Sequence, residues 1–139
     1  MPLIRHIDEG LAILRHLGAG ELAERAFCLH PLVQADEDLA ANFEALAGFE
    51  GRVVALALEY RARANAYLSQ HPPRAPAEIE LSPLAAVNAM LIADKVQNRK
   101  DFRRYNADHP RAERLEAYFA EWLAALGVSE ERYAELSGL

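Results

Sequence analysis

The chain has 139 residues, of which 52% are hydrophobic and 26% are charged, and its formal net charge is −6. That length fits one domain with one core, and the composition is typical of a soluble globular protein. The acidic balance argues against a surface that is built throughout for nucleic acid.

The sequence contains no apolar run that approaches the roughly 20 residues of a membrane-spanning helix. The N-terminal ten residues carry two acids and no uninterrupted apolar stretch, so they do not resemble a signal peptide. We therefore expect a cytoplasmic protein without a membrane partner. Cys28 is the single cysteine, and its place in an apolar helix predicts a core thiol rather than a nucleophile.

The first predicted helix has apolar residues at three- and four-residue steps, the period of an amphipathic helix. These residues are Leu3, Ile4, Ile7, Leu11, Leu14 and Leu17. His6 lies at the edge of this apolar stripe, beside Gly10, whereas His16 points away from it. The glycines at Gly18 and Gly20 end the helix.

A second helix begins near Glu21, with an apolar face of its own. Its inward residues are Leu22, Ala26, Leu29 and Val33. Pro31 must end or kink this helix, because proline lacks an amide donor and disfavours helical geometry at His30. Asp36 can then cap a third helix, which we expect to run to about Ala47.

The fourth helix is predicted to be structural. Its inner face is traced by Val53, Leu56, Tyr60, Ala64 and Tyr67. Glu59 and Arg63 form a favourable pair four residues apart on the same helix. A proline-rich loop follows at residues 71–76.

Three more helices complete the pattern. Ser82 and Pro83 supply an N-cap and a first-turn proline for a long helix that ends near Tyr105. Pro110 begins the next helix, and Ser129 caps a short terminal one. No segment alternates with the period of a strand, and no repeat is visible. We therefore predict an all-α fold, in which residues 1–139 form a single-domain bundle of about six or seven helices.

Asp94 stands on the apolar face of the long helix. The apolar side chains of that face are Val87, Met90 and Leu91. An ionised carboxylate in such a place costs several kcal/mol unless it meets a cation, a metal or good donors. His6 and His30 are the expected partners, since both lie on or beside inward faces. Two interpretations stay open: a buried hydrogen-bond network that fixes the helix register, or a metal site.

The stretch from residue 95 to residue 114 is locally basic. It contains Lys95, Arg99, Lys100, Arg103, Arg104, Arg111 and Arg114 against Asp101, Asp108 and Glu113. The stretch is either a solvated face with ordinary ion pairs or a phosphate-facing strip that begins beside Asp94. Nucleic-acid binding through it is a weaker hypothesis, because the chain is acidic and no nucleic-acid-binding motif accompanies the stretch.

The segment Ile92-Ala93-Asp94-Lys95-Val96-Gln97-Asn98-Arg99 resembles the Leu-Ala-Asp-Arg-Leu-x-Asn motif of the alarmone hydrolases in the HD-domain superfamily. The N-terminal half is similar to HD-type proteins as well, with a histidine in the first helix, a Leu-Arg-x-Leu-Gly helix end and an Ala-x-x-Leu-His segment. The resemblance covers about residues 5–99 and implies an HD-like fold.

This resemblance also implies a site and an activity. His6, His30 and Asp94 would be metal ligands, and the residues available for the phosphate and ribose of a substrate would be Lys95, Asn98 and Arg99. The implied activity is a metal-dependent phosphohydrolase that acts on a nucleotide or an alarmone.

Two departures from the HD pattern leave the activity open. Pro31 stands where an aspartate should follow the second histidine, and a proline side chain has no donor atom. The acidic pair that activates water in alarmone hydrolases is out of register, because Gln34 and Ala35 fall near its positions. The acids at residues 36–38 come later and suit a helix N-terminus.

Three ligands can still hold Mn²⁺, Fe²⁺ or Zn²⁺, with positions left open for water. The alternative is that no cofactor binds. The chain is therefore either a diverged hydrolase or a non-catalytic HD-like module that binds a nucleotide, a small phosphorylated metabolite or another protein. The sequence identifies no catalytic residue beyond the metal ligands, and it leaves homo-oligomerisation open.

Overall fold

The computed structural model describes residues 3–67, 78–105 and 108–139. Those residues form seven α-helices and no strand. The helices are α1 (Leu3–His16), α2 (Glu21–Leu29), α3 (Asp36–Asn42), α4 (Gly51–Ala66), α5 (Ala85–Tyr105), α6 (Ala112–Ala125) and α7 (Glu130–Ser137). The prediction of an all-α, single-domain bundle is confirmed.

The interruption predicted at Pro31 is present. Helix α2 ends at Leu29, and a single 3-10 turn, His30–Leu32, follows it. The third helix is shorter than predicted, because it ends at Asn42 and a second 3-10 turn, Glu44–Gly48, replaces its expected second half. At that end the Asn42 side-chain amide donates to the carbonyl oxygens of Leu32 and Asp38.

Helix α5 begins at Ala85, slightly later than its N-cap prediction. The Ser82 hydroxyl accepts a hydrogen bond from the Leu84 amide at 3.1 Å. The Asn88 side chain bonds both the N–H and the C=O of Ser82, at 3.0 and 2.9 Å. Ser129 caps α7 as predicted, with its hydroxyl accepting from the Arg132 amide. The predicted loop at residues 71–76 lies outside the described residues.

Helix α5 is the centre of the bundle. It packs against α1, α2, α4, α6 and α7, and α2 also packs against α4. The largest side chains of the core are Trp122, Tyr60, Phe27, Leu14, Met90 and Leu91. Because α5 is covered on several sides, its polar residues are buried along with its apolar ones. Four of them are less than a tenth exposed, namely Asp94, Lys95, Gln97 and Arg99.

A glycine lets α1 approach α2 closely. A Cβ atom at Gly10 would lie 2.1 Å from Cε1 and 2.3 Å from Cζ of the fully buried Phe27. One turn before Gly10, the His6 ring lies 5.6 Å from the Phe27 ring between centroids. The close approach therefore places the first histidine beside α2.

Cys28 is exposed, so the prediction of a core thiol is wrong. The buried residues around it are Ala23, Ala26, Phe27, Leu29 and His30. At 100° per residue these five positions share one side of the α2 axis, and Cys28 falls on the opposite side.

Acidic residues of other helices pair with much of the basic stretch. The Arg99 guanidinium lies 2.9 Å from a carboxylate oxygen of Glu116 and 2.9 Å from one of Glu130. Arg103 also binds Glu116, and Lys100 lies 3.5 Å from Glu9 on α1. These contacts agree with the ion-pair interpretation, because they tie α5 to α1, α6 and α7.

Across the described ranges, none of the helices is both long enough and apolar enough to span a membrane.

Candidate metal centre

Three helical segments bring His6, His30 and Asp94 together. Each side chain offers one ligand atom, and these atoms lie within 4.8 Å of one another. The His6 Nε2 atom is 3.7 Å from Asp94 Oδ1, and the two imidazole rings meet edge to face with their centroids 5.8 Å apart. Ligation at about 2 Å from each donor requires donor atoms roughly 3–4 Å apart, so small side-chain adjustments would close the site on an ion.

The His30 ring is held with Nδ1 turned towards the backbone, an orientation in which the neutral imidazole can act as a ligand. Its Nδ1–H donates to the Phe27 carbonyl oxygen at 2.5 Å, which leaves the lone pair on Nε2. Burial lowers the pKa of His30, while the nearby Asp94 and the bond to Phe27 act in the opposite direction. A metal-bound histidine commonly donates its other ring N–H to a carbonyl or carboxylate in this way. The donor set therefore fits a divalent transition metal.

The two oxygen atoms of the Asp94 carboxylate face different partners. Its Oδ2 atom accepts a hydrogen bond from the Asn98 amide at 3.0 Å and lies 3.5 Å from the Lys95 ammonium. Its Oδ1 atom faces His6. One oxygen is thus oriented by neighbours on α5, and the other is directed towards the histidines.

Lys95 is a fixed cation beside this carboxylate. It is 5% exposed, and its ammonium lies 4.9 Å from the Trp122 ring centroid and 5.4 Å from that of Tyr118. The ammonium is also 3.5 Å from the Tyr118 hydroxyl, which itself donates to the Tyr67 carbonyl at 2.8 Å. Contacts with two aromatic faces stabilise a desolvated ammonium and limit its movement.

The three candidate ligands line a pocket of about 410 Å³. Its described lining is Leu3, His6, His30, Pro31, Gln34, Tyr60, Ala64, Asn65, Asp94, Lys95, Asn98 and Tyr118. Gln34 and Asn65 form an amide pair on this wall, with the Gln34 side chain donating to Asn65 Oδ1 and the Asn65 side chain donating to the Gln34 carbonyl. Pro31 contributes no donor atom to the site.

The predicted substrate-binding residues divide into two groups. Lys95 and Asn98 line the pocket, whereas Arg99 is not among the described lining residues. The Arg99 guanidinium stacks 4.6 Å from the Tyr133 ring centroid and binds acids of α6 and α7. Arg99 is thus directed towards α6 and α7.

The pocket is also lined by Tyr60, Asn65 and Tyr118, for which the sequence pattern predicts no functional role. Tyr60 was predicted to be a structural inner-face residue, and it is indeed 1% exposed. Burial, together with the adjacent Asp94 carboxylate, raises the pKa of the Tyr60 phenol well above its ordinary value. A buried tyrosine hydroxyl usually has a polar partner, and this rule is the signal that could have pointed to Tyr60.

Comparison of the chain with protein-family models, with curated proteins and with solved structures gave no match. The HD-like assignment therefore stays a prediction from the motifs around His30 and Asp94.

Proposed function

We propose that the chain is a metal-dependent phosphohydrolase with an HD-like fold, acting on a nucleotide, an alarmone or a related small phosphorylated metabolite. The observation that carries the proposal is the convergence of His6, His30 and Asp94 on a pocket that also contains the buried Lys95 ammonium. Two imidazoles and one carboxylate suit Mn²⁺, Fe²⁺ or Zn²⁺. A divalent cation held by these residues would supply Lewis acidity towards a phosphoryl oxygen.

The protein's own groups would bind and orient the substrate. The Lys95 ammonium is held in place by aromatic rings, so it would attract a phosphoryl anion without having to be ordered first. The neutral amides of Gln34, Asn65 and Asn98 would bind uncharged polar groups of the same ligand. A volume of about 410 Å³ lies within the ordinary range for small-molecule sites, roughly 300–1,000 Å³.

Turnover should be slow. Asp94 is the one carboxylate among the described residues of the pocket lining, and it is already a candidate metal ligand. General-base assistance contributes about 10²–10⁴-fold to a typical rate. Gln34 and Ala35 stand near the positions where the HD pattern would supply such a base, so the reaction would proceed without that assistance.

Phosphate release tests this proposal. The full-length protein is loaded with Mn²⁺, Fe²⁺ or Zn²⁺ and incubated with nucleoside mono-, di- and triphosphates and with an alarmone. We expect slow, multiple-turnover release that requires metal and is abolished by Asp94→Ala. Asp8→Ala, which removes an exposed carboxylate of α1, is the matched control and should behave as the wild type. Release that is independent of metal, or equal in the Asp94→Ala variant, would overturn the proposal.

A non-catalytic binding module is the second candidate. It is favoured by Pro31, which faces the pocket without a donor atom, and by the lack of a second carboxylate in the described lining. Thermal-shift measurements with the same compounds separate the two candidates, because a ligand that binds the native state raises the melting temperature. A saturable shift without any metal-dependent release of phosphate would favour the binding module.

A further inference from the structure

Tyr60 is a polar group of the pocket to which the proposed function assigns no role. It lies on α4 and is 1% exposed, and its side chain forms part of the pocket wall. Its ring meets the His30 ring at 68°, with 5.0 Å between centroids. The Asp94 carboxylate lines the same pocket and is close enough to help raise the pKa of the Tyr60 phenol. One residue therefore packs against one candidate metal ligand and lines the pocket beside a second.

We propose that Tyr60 is a positioning residue that holds the His30 ring and the Asp94 carboxylate in the orientation that binds a divalent cation. This inference rests on the metal site of the proposed function. It does not require that the bound metal supports hydrolysis.

The His30 ring is fixed from three directions. The Phe27 ring lies on one side, with 4.7 Å between centroids, and the Tyr60 ring lies against it at 5.0 Å. The Nδ1–H donates to the Phe27 carbonyl. Rotation of the imidazole would break this hydrogen bond and bring the ring into collision with Tyr60. The aromatic contact thus keeps Nε2, the free nitrogen, available as the ligand atom.

Tyr60 orients Asp94 in a way that the other donors cannot. The contacts from Asn98 and Lys95 come from α5 itself, so they move together with the carboxylate. The Tyr60 hydroxyl comes from α4, which also packs against α2 and the turn that carries His30. A phenol is an O–H donor at neutral pH and therefore suits a carboxylate acceptor. A hydrogen bond from Tyr60 to Asp94 would consequently fix the carboxylate relative to His30 across the helix interface.

Cobalt titration of the full-length protein tests this role. Co²⁺ serves as the probe because its visible absorption reports the geometry of its ligands. Removal of a group that orients a metal ligand typically lowers metal affinity about 10–100-fold. We expect Tyr60→Phe to weaken Co²⁺ binding by about that factor and to shift the absorption bands. Tyr60→Leu also removes the ring that packs against His30, and it should weaken binding further.

Tyr133→Phe is the matched control, because it deletes the hydroxyl of a buried tyrosine that lies outside the described pocket lining. It should leave the affinity and the spectrum unchanged. If Tyr60→Phe and Tyr60→Leu also match the wild type, the positioning role is refuted while the metal site stands. If the wild type itself binds no cobalt, both proposals fall. If the wild type binds cobalt but releases no phosphate with any metal, only the proposed hydrolase function falls.

Discussion

Gly10→Ala tests whether the close packing of α1 on α2 builds the metal site. The added Cβ would lie 2.1 Å from Phe27 Cε1, whereas ordinary van der Waals contact lies at 3.4–4 Å. Phe27 is fully buried and cannot swing into solvent, so α1 must move away from α2. His6 is carried by the same turn of α1 and would move with it.

The expected change in the unfolding free energy of Gly10→Ala is the difference between two opposing contributions. Overpacking of this kind destabilises a protein by about 1–3 kcal/mol. Alanine is about 1 kcal/mol more favourable than glycine inside a helix. We therefore expect a net loss of up to about 2 kcal/mol of unfolding free energy, which corresponds to a fall of up to roughly 8 °C in melting temperature. Metal affinity should fall as well, because His6 is displaced from Asp94.

Gly51→Ala is the matched control for this experiment. Gly51 is the first residue of α4, and a Cβ there would meet no atom within 4 Å. Urea unfolding of both variants should show Gly51→Ala equal to or more stable than the wild type, and Gly10→Ala less stable. A Gly10→Ala variant as stable as the control, with unchanged metal affinity, would show that the close packing of α1 on α2 does not position His6.

Three further predictions concern the ion pairs of Arg99 and Glu116 and the position of Pro31, where the HD pattern has an aspartate. Arg99→Ala should lose about 1–3 kcal/mol of unfolding free energy in urea, because it removes a buried guanidinium that binds Glu116 and packs on the Tyr133 ring. Arg15→Ala, in an exposed pair, should lose under about 1 kcal/mol, and equal losses would contradict this. Hydrogen bonding from Arg103 lowers the pKa of Glu116 from its ordinary value of 4.5. The ionised Glu116 side chain therefore stabilises the fold above about pH 4.5, and this stabilisation is lost as the pH falls through the lowered pKa. In denaturant unfolding, the difference in the free energy of unfolding between the wild type and Glu116→Gln should accordingly become smaller on acidification. A difference that grows on acidification would contradict the predicted pH dependence. Pro31→Asp should raise Mn²⁺ affinity by adding a fourth donor at the pocket wall, as measured by calorimetry against Pro31→Ala; an unchanged affinity would show that this position does not reach the ion.

Local sequence rules predict most of the fold. Helical periodicity, the backbone restriction at Pro31 and the cap at Ser129 act within a few residues, and each is present as expected. The second half of the third helix and the orientation of Cys28 could not be predicted in the same way. The early end of the third helix coincides with hydrogen bonds from the Asn42 side chain. The exposure of Cys28 depends on which side of α2 the other helices cover.

The sequence identifies the three candidate ligands but not what surrounds them. A carboxylate at Asp94 on an apolar face requires partners, and that requirement predicts an interior polar cluster. The amphipathic pattern does not reveal that Tyr60 and Tyr118 enter the pocket, because an inner-face tyrosine is ordinarily a core residue. The direction of Arg99 likewise depends on Glu116 and Glu130, which belong to other helices.

Mn²⁺ binding by variants of the three candidate ligands tests whether His6, His30 and Asp94 form a metal site. Protein freed of metal is titrated with Mn²⁺, and His6→Ala, His30→Ala and Asp94→Ala are compared with the wild type. His16→Ala is the control, since that exposed histidine pairs with Glu135 outside the described pocket lining. We predict one Mn²⁺ per chain for the wild type and the control, and an affinity at least about tenfold lower for each of the three variants. A wild type that binds no metal, or three variants that bind as tightly as the control, would show that these residues do not form a metal site.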